Sequence, residues 1–441
     1  MRHIAASLLI ATVLGACGAA SPRATRLEYT VTPHADLGGV STLACGGGDS
    51  PDAWIPGTVD GRTLLATVTR VGGCLRFEVR WPAERSVVES RWFAVEREQV
   101  VAPVGLWLWR PTDLGPEASA TLRVDASSGV RLVTPWPTTP DGAAFHLGRS
   151  TFARPNVVVF QRAEVIQLDT AFGPLRVAER AGFPTDLALT EARSTWLRAA
   201  ADEVGGLYGH APRRAVLVLL QPVPAEVAGD DPVPFGETQR GGGGTVSLHV
   251  STSLNPESAR TDWVAVHELV HLGVPVMTAD DAWLYEGLAS YYQNVLRARS
   301  GRLSVEAAWA SLSDGFRRGA STRTRRSLWD ESRDMRTTHA YWPVYWGGAL
   351  WAMRADLALR KARPGHGGLD EVMRGWVEGL DTSRFDRALS LLAQADATLG
   401  VDVLAPLAEQ MGRAPPCEGY EALGLEDFRG IVDGPIKAGP R

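Results

Sequence analysis

His267-Glu268-Leu269-Val270-His271 constrains this chain more than any other stretch of it. Residues four apart share one face of an α-helix, so both imidazoles can reach a single ion while Glu268 faces a water beside it. The flanks fit a helix. Asp262 stands near its start, Val264, Val266, Leu269 and Val270 supply apolar contact, and Gly273 and Pro275 end it. Two histidines that merely share a core would give the same spacing, so the reading needs a second feature.

Trp283-Leu284-Tyr285-Glu286-Gly287-Leu288-Ala289-Ser290-Tyr291-Tyr292 supplies it. A catalytic zinc takes three protein ligands and keeps a fourth position for water, and His₂Glu is one such set. Glu286, early in a second helix and facing back toward the first, completes it; a carboxylate there would also suit the helix dipole without any metal. The expected cofactor is one Zn²⁺ on His267, His271 and Glu286, with Glu268 as general base. A structural zinc site would have no need of Glu268, which argues against a zinc-binding surface lipoprotein without turnover, acting as a binding or assembly factor.

The rest of the chain frames this pair of helices. Met1-Arg2-His3 followed by the apolar run Ile4 to Val13 reads as a secretory signal, too short for a stable bilayer span. It ends in Leu14-Gly15-Ala16-Cys17, which resembles a bacterial lipobox, so Cys17 is the expected lipidated residue. The protein is then an exported, membrane-anchored lipoprotein of the cell envelope, leaning to the outer membrane. After export Cys45 and Cys74 could pair, with Cys417 left over. Period-two runs such as Arg76-Phe77-Glu78-Val79-Arg80-Trp81 predict strands from Leu27 to Leu175. After Pro184 the period lengthens: Thr190–Val204 predicts a helix, Ala215–Leu220 and Thr245–Val250 predict strands, Pro222–Arg240 a loop, and the chain beyond Thr261 helices. The expected division is signal peptide 1–16, lipidated linker 17–26, β-rich domain 27–175, catalytic domain 176–380 and helical tail 381–441. A net charge of −5 leaves no footprint for nucleic acid. Trp107 and Trp109, two apart in a β-like run, are expected in a core or at a domain interface rather than on an adhesive surface.

The two zinc motifs resemble the gluzincin zinc metallopeptidases, the glycyl aminopeptidase family first and the aminopeptidase N family more distantly. Tyr345-Trp346-Gly347-Gly348-Ala349-Leu350 is similar to a Tyr-x-x-Gly-Ala element of these families. The resemblance implies an α+β fold: a β-sandwich-like N-terminal domain, then a thermolysin-like, mainly helical zinc peptidase domain acting on peptide or protein substrates. It implies that Tyr345 donates to the oxyanion, with Tyr341 a competitor four residues away and His339 also within reach. Three departures stand out. The spacer between His271 and Glu286 is short, and no PDZ-like module is expected. Where the families carry a glutamate that reads a free α-amino group, this chain has Gly241-Gly242-Gly243-Gly244-Thr245-Val246, with Glu237 nearby but out of register. Aminopeptidase and endopeptidase specificity therefore both stay open. The glycines themselves suit either close approach of substrate backbone or a flexible loop.

Overall fold

The computed structural model describes residues 26–434 except 48–49, 57, 60–61, 65, 83–91, 116–117, 214, 322–324 and 381–383. The signal segment and Cys17 lie outside the described residues. Three main sheets precede and flank a helical half. The first has six strands in the order Phe145–Leu147, Ser119–Val124, Arg26–Pro33, Gly39–Cys45, Cys74–Arg80 and Ala66–Val71. Its pairs are antiparallel except Arg26–Pro33 with Ser119–Val124. The predicted alternation is realised here: Phe77 and Val79 point inward, facing Thr42 and Val40 across the ladder. Cys45 and Cys74 are joined by a disulfide at one end of this same strand pair.

The second sheet has four strands, Arg131–Val133, Val157–Gln161, Gln99–Pro103 and Ala94–Val95. Val157–Gln161 is buried along its whole length, which a period-two pattern alone does not announce. Val158 and Phe160 face the six-stranded sheet in one core, while Val157 and Val159 pack with Leu217 and Leu219 of the third sheet. The N-terminal half is thus a sandwich, and its inner sheet is covered on both faces. Trp107 lies in the first of these cores, fully buried and edge-on to Phe160. Trp109 stacks on Phe77 with centroids 4.6 Å apart. Neither tryptophan sits on a strand; Val104–Leu106 is a turn of 3₁₀ helix that ends at Trp107.

The third sheet runs Ile166–Leu168, Leu175–Glu179, Val216–Val223, Gly244–Ser251 and Phe235–Gln239. Its three middle strands are parallel and its two edge pairs antiparallel. The change of sheet therefore falls between Gln161 and Ile166, ahead of the change of hydrophobic period. The helix foreseen at Thr190–Val204 spans Leu187–Tyr208, with the Asp186 side chain accepting from Leu189 N. Among the described residues, ten longer helices, from Leu187–Tyr208 to Leu425–Val432, share one core with the inner face of this sheet. Leu391, Leu404 and Phe428 of the C-terminal helices belong to that core. No helix among the described residues is long and apolar enough to cross a membrane.

The glycine run serves neither purpose expected of it. It is wedged against the N-terminal sandwich: a Cβ on Gly243 would lie 1.9 Å from the Pro135 carbonyl oxygen, and one on Gly242 2.3 Å from Thr151 Oγ1. Gly243→Ala is expected to destabilise the protein by about 1–3 kcal/mol, the usual cost of overpacking, as read from the urea unfolding midpoint.

Candidate metal centre and cleft

The helix bearing both histidines is short, Val264–His271, and one long neighbour holds it at both ends. At its start the Asp262 carboxylate accepts from Val264 N at 2.8 Å and Ala265 N at 3.3 Å, satisfying donors that the first helical turn leaves open. The same carboxylate accepts from Trp196 Nε1 at 2.8 Å. At the other end the Tyr208 hydroxyl donates to Val270 O at 2.7 Å. Trp196 and Tyr208 both belong to the helix Leu187–Tyr208.

Glu286 is on the second helix, Ala282–Arg299, as expected. His267 Nε2 and His271 Nε2 lie 3.2 and 3.4 Å from the same atom, Glu286 Oε2. Three ligand atoms of the right kinds thus surround one point, and His267, Glu268 and His271 also offer atoms within 4.8 Å of one another. This donor set fits Zn²⁺. His271 is held neutral, the form that ligates: burial lowers it to about 4 against the pull of Glu286. Glu286 stays ionised, because the two histidines outweigh burial and hold it below the usual carboxylate range.

The two imidazoles are oriented by different means. His267 Nδ1 lies 2.8 Å from Gln293 Oε1, an acceptor that leaves the Nε2 lone pair for a metal. His271 instead stacks on Tyr285, centroids 3.8 Å apart and planes 12° apart, and Arg240 covers the ring of Tyr285 from 4.6 Å. Arg240 also donates to Val274 O at 2.6 Å, just past the end of the histidine helix. None of Gln293, Tyr285 or Arg240 was singled out from sequence. Gln293 carried a signal, since it follows Glu286 by two helical turns on the same face.

Glu268 is buried, and the Thr238 hydroxyl lies 2.9 Å from both its Oε2 and its backbone oxygen. Burial raises its carboxyl to about 7, with His267 opposing and Glu286 adding to the shift. Thr238 lies on Phe235–Gln239, inside the stretch expected to be loop. This edge strand borders the histidine helix, and it places Glu237 among the lining residues of the cleft. The sequence pattern concealed it because the five residues do not alternate in burial and follow a Pro- and acid-rich segment.

Tyr345 and Tyr341 separate clearly. The Tyr345 ring lies nearly parallel to His267 at 6.1 Å, and its phenol, raised by burial and then by Glu286, stays a donor. Tyr341 is 42% exposed and meets Tyr345 edge-on at 6.4 Å. His339 is exposed beside Tyr341 and touches none of the ligands. Thr238, Arg240, Tyr285 and Glu286 line a cleft of about 1290 Å³ between the N-terminal sandwich, the edge strand and the helix Leu328–Thr338.

Comparison with known proteins agrees with this architecture. Residues 274–350 match the M61 glycyl aminopeptidase family. The matched stretch begins just after the histidine helix and contains Glu286 and Tyr345. The fold is similar to the crystal structure of an aminopeptidase N family protein from Idiomarina loihiensis, with a TM-score of 0.56 at 14% identity, covering 94% of this chain and 77% of that one. No curated protein matches the chain significantly. The chain therefore resembles a peptidase family in sequence around Glu286 and an aminopeptidase in fold.

Gln293→Leu removes the acceptor at His267 Nδ1 without adding volume to the site. It is expected to weaken zinc binding roughly 10- to 100-fold, as measured by competition with a chromogenic chelator.

Proposed function

We propose that this chain is a zinc-dependent peptidase, exported to the cell envelope and held there by a lipid on Cys17. The observation that carries the reading is the convergence of His267 Nε2 and His271 Nε2 on Glu286 Oε2, with the Glu268 carboxylate alongside. His267, His271 and Glu286 would hold the ion. When bound, zinc supplies Lewis acidity toward the scissile carbonyl and lowers the pKa of a water.

The remaining work belongs to the chain's own residues. Glu268 takes the proton of the attacking water and passes it to the leaving amine; its raised pKa, near 7, suits both halves of that transfer. Thr238 holds the carboxylate in place. Tyr345, still protonated, donates to the oxyanion as charge develops there. Phe235–Gln239 is an outermost strand, so an extended peptide can add to its edge. Glu237 on that strand supplies a carboxylate for a free α-amino group, which supports the aminopeptidase reading over the endopeptidase one.

Glu268→Gln should retain one zinc per chain by elemental analysis while kcat on a mixed peptide library falls by roughly 10²- to 10⁴-fold. Acetylation of the peptide amino termini should abolish cleavage by the unaltered protein; cleavage that persists would indicate an endopeptidase. Stoichiometric zinc with no turnover in either protein would leave the binding lipoprotein. Cys17→Ser should move the protein from the membrane fraction to the soluble exported fraction, as followed by fractionation and fatty-acid labelling.

A further inference from the structure

The walls of the cleft carry an excess of positive charge that the chemistry above does not use. Arg110 and Arg154 line it from the N-terminal side, Arg240 from the end of the edge strand, and Arg333 and Arg336 from the helix Leu328–Thr338. Among the described residues that line it, Glu237 and Glu286 are the only carboxylate side chains, and Glu286 belongs to the proposed metal set. The chain as a whole has a net charge of −5, so the cleft has the opposite sign to the body around it.

Not all five guanidinium groups weigh equally. Arg333 pairs with Asp330 at 3.1 Å, where both are well exposed. Arg240 is engaged with Tyr285 and the carbonyl of Val274. Arg154 lies over the ring of Phe385 at 3.6 Å. Arg336 is exposed and Arg110 partly so. A cleft with low-dielectric walls focuses such a field and raises the local concentration of anions. The guanidinium fork also matches a carboxylate in shape, which a diffuse ammonium does not. Apolar Trp92, Leu108 and Phe152 line the same cleft, so a peptide backbone can lie against them while its carboxylates meet the arginines.

We infer that the cleft selects peptides bearing carboxylates, and assign these to acidic side chains near the scissile bond. The inference rests on the peptidase reading. Arginines on both walls, rather than one cluster at an end, favour side chains over a terminal carboxylate, although the chemistry of the two is the same.

The test uses length-matched peptides with free amino termini. One set carries Asp and Glu with an amidated C-terminus. A second carries Asn and Gln, amidated. A third carries Asn and Gln with a free carboxyl end, and a fourth carries Lys, amidated. Turnover is measured with the zinc-loaded protein at low and high salt. Binding of fluorescent versions to the Glu268→Gln protein is measured by anisotropy. The acidic set should exceed the amidated Asn/Gln set about tenfold or more in kcat/KM and in affinity, with the advantage shrinking at high salt. Arg336→Glu and Arg110→Gln should each lower that ratio severalfold. Equal handling of the acidic and neutral sets, or a preference for lysine, overturns the inference while cleavage itself upholds the peptidase. A preference confined to the free carboxyl end overturns the side-chain assignment. Absence of cleavage together with selective binding of the acidic set overturns the peptidase reading and leaves the anionic preference standing.

Discussion

The site depends on a contact between two glycines. Where the helix Ala282–Arg299 meets the helix Tyr341–Ala362, a Cβ on Gly287 would lie 2.4 Å from Gly348 Cα, and one on Gly348 only 1.8 Å from Trp283 O. Backbone touches backbone at that point, and no side chain fits between. Glu286 precedes one of these glycines and Tyr345 lies one turn before the other, so the metal-set carboxylate and the tyrosine are brought together by the absence of side chains nearby. Further along, the Tyr291 hydroxyl donates to Asp356 of the same partner helix at 2.7 Å, and Tyr292 donates at 3.0 Å to Asp370 of the next helix, Leu369–Glu378. Arg299 and Arg360 complete these pairs, so neither carboxylate is left as an uncompensated buried charge.

The short histidine helix relies on a different kind of support. Eight residues are too few for independent helical stability, and its order comes from Asp262 at one end, Tyr208 at the other, and apolar burial between them. Its two imidazoles are set by unlike partners, one hydrogen-bonded and one stacked. The stacked one ties the metal site to Arg240, and through it to the junction of the edge strand with the glycine run. The cleft wall and the two-histidine cluster are therefore mechanically linked through Arg240, as they also are through Thr238 and Glu268.

Much of this was legible in the sequence where local periodicity carries the information. The four-residue spacing of His267 and His271 put both on one helix face, and Glu286 stood early on the next helix, as the structure has it. Alternation announced the strands of the outer sheet. What escaped depends on tertiary contact. Phe235–Gln239 has no alternating burial, because one flank faces the histidine helix and the other the cleft, so its residues read as loop. Gly241, Gly242 and Gly243 are small because the Pro135–Asn156 region presses on them, a fact no local pattern encodes. Trp107 and Trp109 look like strand residues two apart, yet they leave a 3₁₀ turn and still reach the core. The pairing of Cys45 with Cys74 was open to the sequence, and Cys417, the residue it left over, lies buried in the helical core.

The double covering of the four-stranded sheet has a consequence for motion. Enzyme clefts between two bodies commonly open and close about a few hinge residues, because the seam between the bodies is wet and weakly packed. Here the seam is dry. Val157 and Val159 on one side interlock with Leu217 and Leu219 on the other, and every one of them is fully buried. Swinging one wall of the cleft away would expose that apolar layer to water. The cleft is accordingly a rigid aperture, and the moving parts left on its rim are the long, jointed arginine side chains rather than the scaffold.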